Sequence, residues 1–190
     1  MSASLYFYYS SMNAGKSSHL LQAAFNYRQG GATVQLLSPS IDDRSAVGKI
    51  SSRVGLEADS EVFNRETDLS NILDDKCNCV LIDEAQFMTK EQVDTVAFFV
   101  DIYNIPVLCY GLKVDFTGNL FEGSSRLLCQ ADNICEIKSI CSEQNCFSKA
   151  THVLRLDANG KAVKSGEQVI IGDSQYRSVC RKHFYSNFMG

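Results

Sequence analysis

The first apolar block of the chain, "LYFYY" at residues 5–9, is short, aromatic and flanked by small polar residues, the pattern of a buried strand. Within 16–29 the apolar residues Leu20, Leu21, Ala24 and Phe25 recur at helical spacing, and Gly30-Gly31 closes the segment, which predicts a helix. "TVQLLS" (33–38) reads as the next strand, and the polar stretch from Pro39 to Asp59 as a long loop. "CVLID" (79–83) is a continuous apolar run, as a parallel strand covered on both faces requires. Thr89 and Gln92 form a capping-box pair stapled by Met88 and Val93, opening a helix that continues to about Tyr103. Pro106 opens a further strand, "PVLCYG". Strands alternating with helices predict an α/β domain with a mainly parallel sheet and right-handed crossovers. From "ICEIKSIC" (134–141) onward the pattern changes to short strands, a turn at Asn159-Gly160, a loop near Gly172 and a last short helix. The expected division is therefore 1–135, a nucleotide-binding domain, and 136–190, a smaller unit.

The junction between the first strand and first helix carries chemistry. "YYSSMNAGKSS" (8–18) matches the phosphate-loop pattern G-x-x-x-x-G-K-S/T except that Ser10 replaces the first glycine. Consecutive N–H groups at such a helix start cradle phosphates, Lys16 reaches the β and γ phosphates, and the Ser17 hydroxyl suits a magnesium ion. Serine suffices at position 10 if its φ is negative. A generic helix start would also explain "AGKSS" taken alone. "CVLIDE" supplies the second element, a buried strand delivering Asp83 and Glu84 as the metal and phosphoryl-transfer chemistry needs. Asp83 suits the metal, and Glu84 is free to accept a proton from water or from an alcohol. In "SIDDRS" (40–45), Asp42 could bind a sugar hydroxyl while Arg44 spreads transferred charge, although the segment taken by itself reads better as a surface ion pair.

Composition narrows the classes. With 18 basic and 22 acidic residues and a net charge of -4, the chain offers no general field for a polyanion, so a nucleic-acid partner is not expected. No apolar run approaches the roughly 20 residues of a membrane span, and the N-terminus lacks a secretory pattern, so a cytoplasmic protein with no membrane partner is expected. In that setting the eight cysteines point to metal ligation and buried thiols. Cys141-x4-Cys146 and Cys180-x2-His183 are two close pairs flanking residues 147–179, the spacing of a Cys₃His zinc site that closes a loop. Cys77, Cys79, Cys109, Cys129 and Cys135 lie in apolar stretches and are expected as buried thiols, Cys135 being close enough in sequence to serve as a reserve ligand.

Taken in order, "LYFYYSSMNAGKSSHLL", "IDDR", "KISSRVG", "LIDEAQF", "PVLCYGLKVDF" and "GEQVIIG" followed by "YRSVCRKH" are similar to the type II thymidine kinases, the bacterial cytosolic branch in particular. The likeness covers nearly the whole chain. It implies a RecA-like P-loop domain joined to a zinc-closed lasso over the nucleoside, and transfer of the γ-phosphate of ATP to the 5′-hydroxyl of thymidine, with deoxyuridine as a further substrate. On that resemblance Glu84 is the catalytic base and Arg44 assists transfer. Ser10, Ser11, Met12, Asn13, Ala14, Gly15, Lys16, Ser17, Ser18, Asp83 and Gln86 serve ATP and Mg²⁺. Asp42 lies near the sugar and Phe87 beside the base. Met12, Leu112, Phe116 and Phe121 line the thymine pocket, Tyr176 closes it, and Val169, Ile170, Ile171 and Gly172 meet the thymine edge through their backbone. Core packing is the alternative for each aromatic. The first knuckle, "CSEQNC", is longer than in relatives, and "IIGDSQY" has one glycine before the tyrosine where relatives have two. The resemblance also implies a homotetramer and feedback inhibition by thymidine triphosphate. Its rivals are a zinc-ribbon P-loop ATPase acting on nucleic acid, with Glu84 activating water, and a non-catalytic nucleotide-binding module.

Overall fold

The computed structural model of the chain describes residues 2–40, 47–168 and 175–189. In chain order the elements are β1 (Leu5–Ser10), α1 (Lys16–Gln29), β2 (Val34–Pro39), β3 (Lys49–Ser51), β4 (Glu57–Asp59), β5 (Glu61–Phe63), β6 (Cys79–Ile82), α2 (Lys90–Tyr103), β7 (Val107–Leu112), α3 (Glu122–Gln130), β8 (Asn133–Glu136), β9 (His152–Leu156), β10 (Gln175–Val179) and α4 (Arg181–Met189). Short 3-10 turns occur at Leu69–Asn71 and Ala85–Phe87.

Among the described residues, six strands form one sheet in the order β5-β2-β6-β7-β1-β8. Every neighbouring pair is parallel. A sheet of this kind must be covered on both faces, and the alternation along β1 shows how. Leu5 and Phe7 join the core with Val93, Val96, Phe99 and Val100 of α2 and Leu127 of α3. Tyr6 and Tyr8 face the other way, toward Leu20, Leu21 and Ala24 of α1. The central strand β6 obeys the same rule with no exposed residue: Val80 and Ile82 serve one core, Cys79 and Leu81 the other. Each such side chain contributes roughly 1.5–3 kcal/mol by leaving water.

The capping box holds as read. Thr89 Oγ1 accepts the Gln92 N–H at 3.2 Å, Gln92 Oε1 accepts the Thr89 N–H at 3.0 Å, and Met88 and Val93 are fully buried. Gln92 Nε2 also donates to the carbonyls of Asn64 and Thr67, fixing the loop ahead of the helix.

Two sequence expectations need correction. Inside the stretch read as a long loop, β3 and β4 pair as an antiparallel hairpin whose Ile50 is buried in the α1 core. Strands of three residues carry too little alternation to be recognised. Of the cysteines expected to be buried thiols, Cys77, Cys79 and Cys109 are buried, but Cys129 is exposed and Cys135 half-buried. Cys129 lies off the α3 stripe of Gly123, Ser124 and Leu127, and Cys135 belongs to β8, an edge strand.

Beyond β8 a separate apolar cluster forms around the antiparallel β9–β10 ladder and α4, from Leu154, Leu156, Val179 and Phe184 together with Cys141 and Cys180. No helix among the described residues is long and apolar enough to cross a membrane.

Candidate functional site

In an open parallel sheet the loops after the C-terminal strand ends converge, and β1, β6 and β7 deliver the candidate residues there. After β1 the chain turns through Asn13 (φ 61°) and Gly15 (φ 87°) into α1. Ser10 stays out of the positive-φ region, so glycine is not required at that position. Its hydroxyl donates to the Ser11 carbonyl at 2.7 Å. Among the described residues neither a side-chain cap nor an acidic residue occupies the first turn of α1. The first-turn N–H groups and the positive end of the helix suit an anion. Lys16 is buried at the same place.

From β6 comes the acidic partner. Ser17 Oγ donates to Asp83 Oδ2 at 2.8 Å, which brings the two metal-site candidates into direct contact. Burial pushes the Asp83 pKa up, the adjacent Glu84 adds to the effect, and the Ser17 hydrogen bond and Lys16 oppose it. A carboxylate in that setting favours a neighbouring cation. Ser17 and Asp83 both offer oxygen donors, which would suit Mg²⁺.

Glu84 adopts a left-handed backbone (φ 46°, ψ 41°), a conformation that costs a non-glycine residue about 1–3 kcal/mol. Its surroundings hold it there. Gln86 Nε2 donates to Glu84 Oε2, while Gln86 Oε1 accepts the Leu112 N–H at 3.0 Å. Gln86, expected among the ATP and Mg²⁺ residues, is thus buried with both ends of its amide committed to orienting Glu84. Two glycines make room for this turn. A Cβ on Gly111 would lie 2.9 Å from Gln86 Oε1, and one on Gly123 would lie 2.6 Å from the Ala85 carbonyl oxygen and 2.8 Å from that of Met88. Alanine normally stabilises a helix interior by roughly 0.5–1 kcal/mol over glycine. Gly123→Ala is nevertheless expected to destabilise the fold by about 1–3 kcal/mol, because backbone oxygens cannot yield as a side-chain tip does. Thermal unfolding checks the sign: a raised Tm would show that the turn relaxes freely.

A cavity of about 460 Å³ lies over the phosphate loop, lined by Asn13, Gly15, Lys16, Ser17, Ser18 and Glu84. Ser51, Ser52, Arg53 and Val54 of the β3–β4 hairpin line it too, residues that sequence reasoning did not place in the site. The motif "KISSRVG" was the available signal.

Six of the expected nucleoside residues lie among the described residues. Phe87 and Phe121 meet edge to face with centroids 6.0 Å apart, Phe116 and Phe121 are buried, and Met12, Leu112 and Tyr176 are half-buried. Asp115, another residue missed, organises the turn that carries Phe116: its Oδ1 accepts the N–H groups of Thr117 and Asn119, and its Oδ2 accepts Gln168 Nε2 at 2.8 Å. Asp42, Arg44, Val169, Ile170, Ile171 and Gly172 lie outside the described residues.

The two cysteine pairs converge. The ligand atoms of Cys141, Cys146, Cys180 and His183 lie within 4.8 Å of one another. Cys141 Sγ and Cys180 Sγ are 3.3 and 3.4 Å from His183 Nδ1, and Cys146 Sγ is 4.0 Å from Cys180 Sγ. A tetrahedron built on Zn–S distances of about 2.3 Å has edges of about 3.8 Å, so the cluster is compatible with zinc. Amide donation from Ser148 lowers the Cys146 pKa to about 7, bringing its thiolate form within reach at neutral pH. The long first knuckle closes through Asn145 in the left-handed region (φ 59°) and a Cys146 N–H to Glu143 carbonyl bond of 3.1 Å. Cys135 takes no part in the cluster. The phosphate loop is tied to this unit twice: Ser178 Oγ donates to the Met12 carbonyl at 2.6 Å, and Ser11 Oγ lies 3.0 Å from Ser139 Oγ.

A P-loop opposite an Asp-Glu strand end, on a parallel sheet carrying a Cys₃His unit, defines a nucleotide-binding α/β protein of the phosphotransfer type. Residues 3–184 match the family described as Thymidine kinase. Thymidine kinases of Photobacterium profundum, Shewanella oneidensis and Vibrio cholerae are 52%, 50% and 50% identical to it over 188 residues, covering 96% of this chain and of each relative. The chain belongs to the thymidine kinase family.

Proposed function

We propose that the chain transfers the γ-phosphate of ATP to the 5′-hydroxyl of thymidine, and of deoxyuridine, giving the nucleoside monophosphate for nucleotide salvage. The observation that carries this reading is the Ser17–Asp83 contact with Glu84 beside it at the base of one cavity. In this reading the phosphate-loop amides and Lys16 hold the triphosphate. Ser17 and Asp83 would hold Mg²⁺, which would supply positive charge to the transfer. Glu84, oriented by Gln86, accepts the 5′-hydroxyl proton as that oxygen bonds to the γ-phosphorus and the bond to the ADP oxygen breaks. Asp42 and Arg44 are proposed at the sugar and the transferred phosphoryl group. Phe87, Met12, Leu112, Phe116, Phe121 and Tyr176 surround thymine, whose edge meets the backbone of residues 169–172. Zinc on Cys141, Cys146, Cys180 and His183 holds residues 136–190 as a unit distinct from 1–135. A cytoplasmic homotetramer inhibited by thymidine triphosphate completes the reading.

The deciding experiment incubates the protein with ATP, Mg²⁺ and each of several nucleosides and measures ADP together with nucleoside monophosphate. Equal amounts of ADP and thymidine monophosphate are expected. ADP without a phosphorylated nucleoside would instead identify a water-activating ATPase.

Arg53 lines the same cavity as the phosphate loop and would supply a second cation near the triphosphate. Because it is solvent-exposed, its attraction is partly screened. Arg53→Ala is expected to raise the KM for ATP about 3- to 10-fold and leave the KM for thymidine unchanged, as initial rates at varied ATP would reveal.

A further inference from the structure

Arg155 of β9 is only 3% exposed, and a buried guanidinium must find compensation for the water it has lost. Its compensation among the described residues comes from carbonyls and a ring, not from a carboxylate. Nη1 donates to the Glu167 carbonyl at 2.7 Å, Nη2 donates to the Ser165 carbonyl at 3.2 Å, and the guanidinium carbon lies 3.6 Å from the centre of the Phe116 ring. Gly166, between the two carbonyls, has φ +125°, and a Cβ there would lie 2.9 Å from Nη2. The loop is therefore shaped around the arginine. Directly opposite Arg155 in the β9–β10 ladder stands Tyr176, so the two side chains leave the ladder on the same face.

Arg155 thus touches Phe116 and neighbours Tyr176, two residues given above to the nucleoside, without belonging to the reacting atoms. From this juxtaposition we infer that Arg155 is a positioning residue for nucleoside binding, fixing the Phe116 ring against residues 165–167 so that the aromatic pocket exists before thymidine arrives. The inference rests on the thymidine kinase reading proposed above. Lysine is a poor substitute here, since a point charge on a flexible stem cannot hold both carbonyls and lie flat on the ring. Preorganisation acts on affinity and not on the transfer step, so its loss appears in KM for the nucleoside.

The test compares the unaltered chain with Arg155→Met, Arg155→Lys and Gly166→Ala, measuring kcat, both KM values, bound zinc and thermal unfolding. Arg155→Met is expected to raise the KM for thymidine about 10-fold or more, with kcat within about 3-fold and the KM for ATP unchanged. Arg155→Lys should fall between it and the unaltered chain. Gly166→Ala, which alters an exposed loop position, should shift the same constant in the same direction with zinc retained. That variant decides alone if Arg155→Met does not fold. A folded, zinc-bound Arg155→Met or Gly166→Ala protein with a thymidine KM within about 2-fold of the unaltered chain overturns the positioning role. So does a fall in kcat with unchanged thymidine KM. An unaltered chain that phosphorylates no thymidine overturns the proposed function and this inference together, and is thereby distinguished from failure of the inference alone.

Discussion

Glu84→Gln is expected to lower turnover on thymidine by about 100-fold or more while ATP still binds, the loss typical of removing a general base. The substitution isolates chemistry from shape. Glutamine matches glutamate in size and strains the backbone at φ 46° no more, and its carbonyl oxygen still accepts from Gln86 Nε2. What disappears is the ability to take a proton. The change should therefore fall on kcat and kcat/KM alike, with little effect on either KM. Gln86→Leu provides the complementary case, since it keeps the carboxylate but removes the amide that donates to it and the Leu112 hydrogen bond that fixes that amide. Near-normal kcat in Glu84→Gln would take the residue out of the mechanism.

Removing a zinc ligand should have a comparably large effect, at a distance from the chemistry. Cys180→Ser is expected to reduce bound zinc well below one per chain, lower the Tm and raise the KM for thymidine about 10-fold or more. Structural zinc contributes on the order of 10 kcal/mol to the folding of small metal-dependent units, and the cluster here is the core of residues too few to build a large one. Cys180 packs with Leu154, Val179 and Phe184, so part of the loss would come from a hydroxyl placed among apolar neighbours. Cys146→Ser separates the two causes, because Cys146 is only partly buried. If both variants lose zinc and thymidine affinity together, ligation is responsible. A fully active protein free of zinc would refute a structural role for the metal.

The parts legible in the sequence were those whose physics is local. A phosphate-loop motif at a helix start, an apolar strand ending in Asp83-Glu84, a capping box and two cysteine-containing pairs each declare themselves within a short window. What escaped depends on approach through space. Gly111 and Gly123 look like ordinary glycines until the Ala85–Phe87 turn is seen pressed against both. Gln86 stood in the same short motif as Asp83, and only the fold reveals that Leu112, from a different strand, takes the other end of its amide. Arg53 was hidden because its hairpin has strands of three residues, and Asp115 and Arg155 because their partners lie 53 and 10–12 residues away in loops without periodicity.

The hydrogen bond from Ser178 to Met12 joins residues 166 positions apart. During synthesis the β1 segment leaves the ribosome well before Ser178, so this brace for the adjoining loop arrives 166 residues later. A nascent chain stalled after β8 would hold all six strands of the main sheet while the loop after β1 still lacked its bond to Ser178. Competence to bind nucleotide should therefore appear late and abruptly in translation, after the parallel core is already in place.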